Sequence, residues 1–343
     1  MWTPRSQRKA LWGTAWVIAL LVVAGIVSAQ GRREDTFERA RDAHQRHTER
    51  LCAINEVQAT GVGLDEQDGP VIRVFLDRPG ARGIPKDIEG VAVQSIVTGR
   101  FYALASRPAQ VRRPASNPYY YARPVPIGVS TGNEEDDSAG TIACRVTDGK
   151  QVYVLSNNHV YALENTADVP SDILQPGLYD TNGQYDPANV IGSLYAFAPL
   201  TFSQTASNQI DAAIALTSIG MLGKATPSGG YGTPQSKTLA AAVRQPVMKY
   251  GRTTKLTMGQ VYAVNATVKV TYASGVTRFV NQILITPGWF SAAGDSGSLI
   301  VYAGAGANYG KPIGLLFAGS QTVTVANPID PVLAHFGVRI DGQ

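Results

Sequence analysis

The chain has 343 residues, 44% of them hydrophobic and 16% charged, which suits one sizeable globular domain with a smaller companion. Its 35 glycines and 20 prolines favour many short strands and turns over long helices. The formal charge of +4 falls to +1 without Arg5, Arg8 and Lys9, and no basic cluster is interleaved with aromatics, so nucleic acid is excluded as an expected partner.

Those three cations precede an apolar run from Leu11 to Val27, and Val27-Ser28-Ala29 offers small residues for cleavage. Residues 1–29 therefore read as a signal peptide. The run is also near the lower length limit for crossing a bilayer, which leaves an uncleaved membrane tether as the alternative. Either way the remainder is expected outside the cytoplasm, secreted or periplasmic. Export would permit Cys52 and Cys144 to pair, although two unpaired buried thiols are the favoured reading.

Residues 30–106 read as a small α+β unit with a pro or regulatory role. Phe37, Ala40, Leu51 and Ile54 form a helical stripe. His44 and His47 have no third ligand near them in sequence, so they read as a polar helix face, and no metal or cofactor is expected. Strands are predicted over Val57–Leu64, Val71–Leu76 and Val91–Val97, with a hairpin turn at Asp68-Gly69 and a helical turn over 84–90. Proline then punctuates residues 107–138, which end near the charge run Glu134 to Asp137 and read as an extended linker.

From Ala139 to the end, strand signals dominate. Ile142–Val146 and Gln151–Leu155 flank Asp148-Gly149, and further runs lie at 212–216, 259–272, 282–285, 299–302, 313–317 and 322–325. Their regular spacing argues for an antiparallel barrel or sandwich. A closing helix is expected, capped by Asp330 and stopped by Gly337.

Within this part, Gly294-Asp295-Ser296-Gly297-Ser298 frames a serine whose hydroxyl needs a base to become a nucleophile. His159, in Leu-Ser-Asn-Asn-His-Val, follows a strand and enters a loop, where a fixed but accessible imidazole should sit. His335 falls on the closing helix, where a structural role is expected. Asp211 opens an apolar strand, and a charge there is expensive to bury without a partner. The chain order His, Asp, Ser matches the chymotrypsin solution and neither the subtilisin nor the α/β-hydrolase order.

On these residues, the part from Ala139 onward resembles the chymotrypsin/trypsin-like serine peptidases, particularly bacterial secreted members such as α-lytic protease and the streptogrisins. Tyr250-Gly251-Arg252-Thr253-Thr254, then Gly259-Gln260-Val261 and Asn265-Ala266-Thr267-Val268, resemble a segment that precedes the nucleophile in that group. Plant narrow-leaf proteins are similar in their base and nucleophile motifs. The resemblance implies an all-β fold of two six-stranded antiparallel β-barrels beside the small N-terminal domain. It implies that Ser296 attacks the scissile carbonyl, that His159 moves the proton, and that Asp211 orients His159. The oxyanion hole would be the amides of Gly294 and Ser296, each worth on the order of 3 kcal/mol of barrier. Phe290 would lie near the base of the specificity pocket, and Ala318, Gly319 and Ser320 would border it. With no acidic residue there, a small or apolar substrate side chain is expected.

Three departures accompany the resemblance. Asn157-Asn158-His159-Val160 lacks the cysteine that usually follows the base, Met248 and Met258 stand where the α-lytic pattern has a cystine, and Ser298 replaces a glycine. Ile127-Gly128-Val129 faintly echoes trypsin-type activation, in which Asp295 would bind a new N-terminus; an Asp295 satisfied by other groups is preferred. Asn265-Ala266-Thr267 also matches a glycosylation sequon, but a plain strand segment is the stronger reading. The expected function is an exported serine endopeptidase acting on protein or peptide substrates. The alternatives are a protease-fold binding protein without turnover and an esterase using the same chemistry. Oligomeric state is left open.

Overall fold

A computed structural model describes residues 31, 34–104 and 119–343. The expected signal segment, 1–29, and residues 107–118 of the expected linker lie outside them.

Two curled antiparallel sheets hold the expected site between them, the chymotrypsin-like double-barrel arrangement. The first contains Ser130–Asn133, Gly140–Thr141, Cys144–Thr147, Val152–Ser156, Asp172–Leu174, Val190–Phe197, Ala213–Thr217 and Arg339–Ile340. Gly140–Thr141 ends the pairing path, and Cys144–Thr147 lies next to its other end. Only Ile142 and Ala143 separate these strands in sequence, so the sheet must curl on itself. Ile142, Val154, Leu155, Ile173 and Ile214 fill the interior. This sheet has eight strands where six are expected, because the Gly140–Thr141 and Arg339–Ile340 segments add short pairs at its ends.

The second sheet runs through Pro246–Gly251, Leu299–Tyr302, Pro312–Gly319, Thr324–Pro328, Gly275–Thr286 and Lys255–Tyr272 in order of pairing. Pro246–Gly251 pairs again with Lys255–Tyr272, which closes a six-stranded barrel. Met248 and Met258 face each other across that closing register, Met248 buried and Met258 exposed. The cystine position is therefore filled by packing on the inner side only.

The N-terminal unit is α+β as expected, with a helix over 34–52 and strands Val57–Leu64, Pro70–Leu76, Asp87–Ile88 and Val91–Val97. Residues 87–88 make a short strand pair with 91–92 rather than the expected helical turn. The unit does not stand apart. The long hairpin of Lys255–Tyr272 and Gly275–Thr286 outruns the barrel and leaves an edge, and Val57–Leu64 pairs along it, Ala59 opposite Val268 and Thr60 opposite Thr267. The combined sheet has eleven strands. Ala59, Phe75 and Phe101 share one core with Val268, Phe279 and Phe317 of the barrel.

Several expectations are corrected by burial. His44 is not on a polar face; it is buried, with Nε2 2.9 Å from Thr60 Oγ1, whereas His47 reaches Glu89 at the surface. The expected linker ends early: Val125, Ile127 and Val129 are core residues of the first barrel and Ser130–Asn133 is one of its strands. The amide of Ile127 donates to the Ala225 carbonyl. The closing helix spans Ile329–Phe336 with Pro328 as its cap; Asp330 sits in the first turn, and Gly337 ends it at φ +63°. Asn265 lies within the Lys255–Tyr272 strand at φ +51°, its amide bonded to Asn281. Cys52 and Cys144 are buried and unbonded. Among the described residues, no helix is long and apolar enough to cross a membrane, and no group of three acidic, histidine or cysteine side chains is arranged to hold a metal ion.

Candidate functional site

His159 sits on a single helical turn, Asn158–Tyr161, directly after the Val152–Ser156 strand. Its Nδ1 lies 2.6 Å from Asp211 Oδ2, and its backbone amide donates to Asp211 Oδ1 at 3.2 Å. A carboxylate only accepts, so Nδ1 carries the proton and Nε2 is the acceptor of the neutral ring. Nε2 is buried and has no hydrogen-bond partner among the described residues. Burying such a group costs about 1–3 kcal/mol unless something comes to bond it.

Asp211 is fully buried and tightly held. Tyr272 donates its hydroxyl to Oδ2 at 2.7 Å, and the Asp211 amide donates to Asn327 Oδ1 at 3.0 Å. Burial, and then the adjoining Asp211 carboxylate, pushes the Tyr272 phenol well above its usual range, so it remains a donor. The asparagines that distinguish the base motif also have jobs. Asn157 donates to the Asp211 carbonyl at 2.7 Å, and Asn158 bonds Asn165 and Ala198. They fasten the histidine turn where the resemblance would have a disulfide.

Ser296 comes from the second barrel, on the turn between the single helical turn Gly288–Phe290 and the strand Leu299–Tyr302. Gly294 and Gly297 adopt φ of +94° and +91°. A Cβ on Gly297 would lie 2.2 Å from the Thr141 carbonyl oxygen, so only glycine fits that bend. The turn is stitched to the first barrel: Thr141 N–H donates to the Ser296 carbonyl at 2.7 Å, and Thr141 Oγ1 donates to the Gly294 carbonyl at 2.8 Å. Gly140 is wedged between Val160, next to His159, and the Ser296 carbonyl. The Ser296 hydroxyl donates to the Phe317 carbonyl at 3.2 Å. The Gly294 amide, one of the two expected oxyanion donors, meets the Leu104 carbonyl at 2.5 Å.

Asp295 is satisfied by the Gly-Arg-Thr-Thr segment. The amides of Thr253 and Thr254 reach Oδ1, Thr254 Oγ1 reaches Oδ2 at 2.7 Å, and Lys249 Nζ lies 3.4 Å away. Burial lowers the Lys249 ammonium from its usual range, and the Asp295 charge opposes that. Arg252 of the same segment forms a buried bidentate pair with Asp180 of the first barrel, at 2.6 and 2.5 Å.

Of the expected pocket residues, Phe290 is fully buried in a cluster with Ile285 and Leu316. Ala318 and Gly319 end the Pro312–Gly319 strand, and Ser320 follows it. Sequence reasoning missed Tyr272, Asn327, Asp180 and Leu104. None carries a local motif, because each meets its partner across a long separation in sequence.

The family model described as the Nal1 C-terminal domain matches residues 189–326, a stretch that includes Asp211 and Ser296 and begins after His159. No curated protein matches the chain. Among solved structures, a glutamic-acid-specific serine protease is 23% identical and covers 63% of this chain and 100% of its own, with a TM-score of 0.43. Thermobifida fusca Protease A is 16% identical over 64% of this chain and 100% of its own, with a TM-score of 0.43. Cellulomonas bogoriensis chymotrypsin is 19% identical over 63% of this chain and 98% of its own, with a TM-score of 0.42. The chain is similar in fold to bacterial chymotrypsin-like serine proteases.

Proposed function

We propose that this chain is an exported serine endopeptidase that cleaves peptide bonds through an acyl-enzyme. The observation that carries the reading is the orphaned His159 Nε2: an imidazole held by a buried carboxylate on one nitrogen, with its other nitrogen buried and unbonded among the described residues. In this reading Ser296 Oγ passes its proton to Nε2 and adds to the substrate carbonyl. Asp211, fixed by Tyr272 and Asn157, stabilises the imidazolium that forms. The Gly294 and Ser296 amides receive the oxyanion, and His159 returns the proton to the leaving amine.

A binding protein without turnover is the second reading. On its side is the Ser296 hydroxyl, which bonds Phe317 rather than His159. A staggered rotation about χ1 releases it, and such bonds are often unmade before substrate arrives. Fluorophosphonate labelling followed by peptide mapping separates the two. The enzyme reading expects an adduct on Ser296, lost in His159→Ala; absence of any adduct from a folded protein leaves the binding reading. Hydrolysis of peptides rather than simple esters then distinguishes an endopeptidase from an esterase.

A further inference from the structure

The histidine turn runs into backbone that L-residues rarely adopt. Leu163, Glu164 and Asn165 follow it with φ of +50°, +59° and +80°, three successive non-glycine residues in the left-handed region. Each carries a steric cost there, so the run persists only where surrounding contacts hold it. The Asn165 side-chain oxygen accepts from Asn158 at 2.9 Å and from the Leu200 amide at 2.8 Å, and Leu163 packs on the core of the first barrel. Glu164 instead reaches the second barrel. Its carboxylate accepts from the amides of Ala273 at 3.1 Å and Ser274 at 2.7 Å, the two-residue turn between the strands Lys255–Tyr272 and Gly275–Thr286. Tyr272 comes immediately before that turn. Its hydroxyl donates to Asp211 Oδ2, the oxygen that His159 Nδ1 also meets, and its ring stands edge-on to the imidazole with centroids 5.8 Å apart.

We propose that Glu164 is a positioning residue: by fixing the Ala273–Ser274 turn it sets how far the Tyr272 hydroxyl reaches onto Asp211, and through Asp211 it sets the orientation of His159. This rests on the acyl-enzyme reading above. Without the carboxylate the two turn amides bond water, and the hairpin tip is no longer tied to the loop that carries the base. A hydrogen bond weakens steeply outside a narrow range of distance and angle, so a small retreat of the tip frees the Tyr272 hydroxyl from Oδ2. Asp211 then loses a donor and the imidazole loses part of its fixed geometry. The change falls on the base and not on substrate contacts, so it lowers kcat and leaves KM in place.

The left-handed backbone supplies the variant that isolates the carboxylate. Glycine adopts φ of +59° without strain, so Glu164→Gly removes the side chain and keeps the turn. Full-length wild type, Glu164→Gly, Glu164→Gln, Tyr272→Phe and the double variant Glu164→Gly with Tyr272→Phe are compared in peptide hydrolysis. Folding is checked by circular dichroism, and Ser296 by fluorophosphonate labelling. Glu164→Gly is expected to lower kcat about 5-fold with KM within about 2-fold of wild type, and Glu164→Gln, which keeps one acceptor oxygen, to lower it less. The double variant is expected to be no slower than Tyr272→Phe alone, whereas a carboxylate acting independently of Tyr272 would multiply the two losses. Glu164→Gln carries the same comparison if Glu164→Gly fails to fold. An unchanged kcat in the Glu164 variants, or losses that multiply in the double variant, overturns the proposal and leaves the acyl-enzyme reading standing. If wild type is neither labelled nor active on peptides, the acyl-enzyme reading fails and takes this proposal with it.

Discussion

At the scale of single residues, function is concentrated in how Asp211 is held. Two groups donate to its carboxylate besides the histidine ring: the His159 amide and the Tyr272 hydroxyl. Hydrogen bonds to charged groups contribute about 1.5–3 kcal/mol, so Tyr272→Phe is expected to lower kcat/KM by roughly 10-fold, read in a peptide-cleavage assay. Asp211→Asn keeps the shape but disfavours the tautomer, and the expected loss in kcat is on the order of 10,000-fold. The three proposed catalytic side chains were legible because each lies in a short local motif. Tyr272 was not, since nothing around it in sequence distinguishes it from an ordinary strand tyrosine. Asp295 was half legible: its neighbours named the motif, but only the fold shows Thr253, Thr254 and Lys249 closing around it.

At the scale of elements, the helix over 34–52 shows what a sequence pattern can misplace. Its apolar stripe is real, yet His44 is buried beneath the helix on Thr60 instead of facing water. Burial lowers its pKa to about 4, with the Thr60 contact opposing. The unfolded chain protonates this histidine near 6.5 and the folded one near 4, so the unfolded state binds more protons between those values. Stability contributed by neutral His44 is therefore present above about pH 6.5 and is lost as pH falls towards about 4, by roughly 3 kcal/mol in all. Denaturant midpoints measured across that window should drop for wild type and drop less for His44→Gln. Strand existence was read well in the hairpins at Asp68-Gly69 and Asp148-Gly149. Val190–Phe197 and Phe101–Ala103 were missed, the second because its partner is a strand far along the chain.

At the scale of the whole molecule, the barrels meet through directional contacts that include Thr141 with the serine turn, Tyr272 and Asn327 with Asp211, and Arg252 with Asp180. Removing one member of a buried ion pair costs about 3–5 kcal/mol. Asp180→Ala is thus expected to lower Tm by several degrees and, by loosening the serine turn, to reduce kcat more than it raises KM. The expectation of a double barrel was right, and the N-terminal strands continue the second barrel's sheet. Pattern and turn chemistry mark strands one at a time, while the joining of Val57–Leu64 to the barrel edge depends on a hairpin longer than the barrel needs. The central claim is that Ser296 is a nucleophile activated by His159. Mass mapping of the fluorophosphonate adduct on Leu104→Asp, a charge placed to expel the residue whose carbonyl meets the Gly294 amide, tests it most directly. An adduct on Ser296 that disappears when His159→Ala is added is the expected result; a folded Leu104→Asp protein with no adduct on Ser296 would contradict the account.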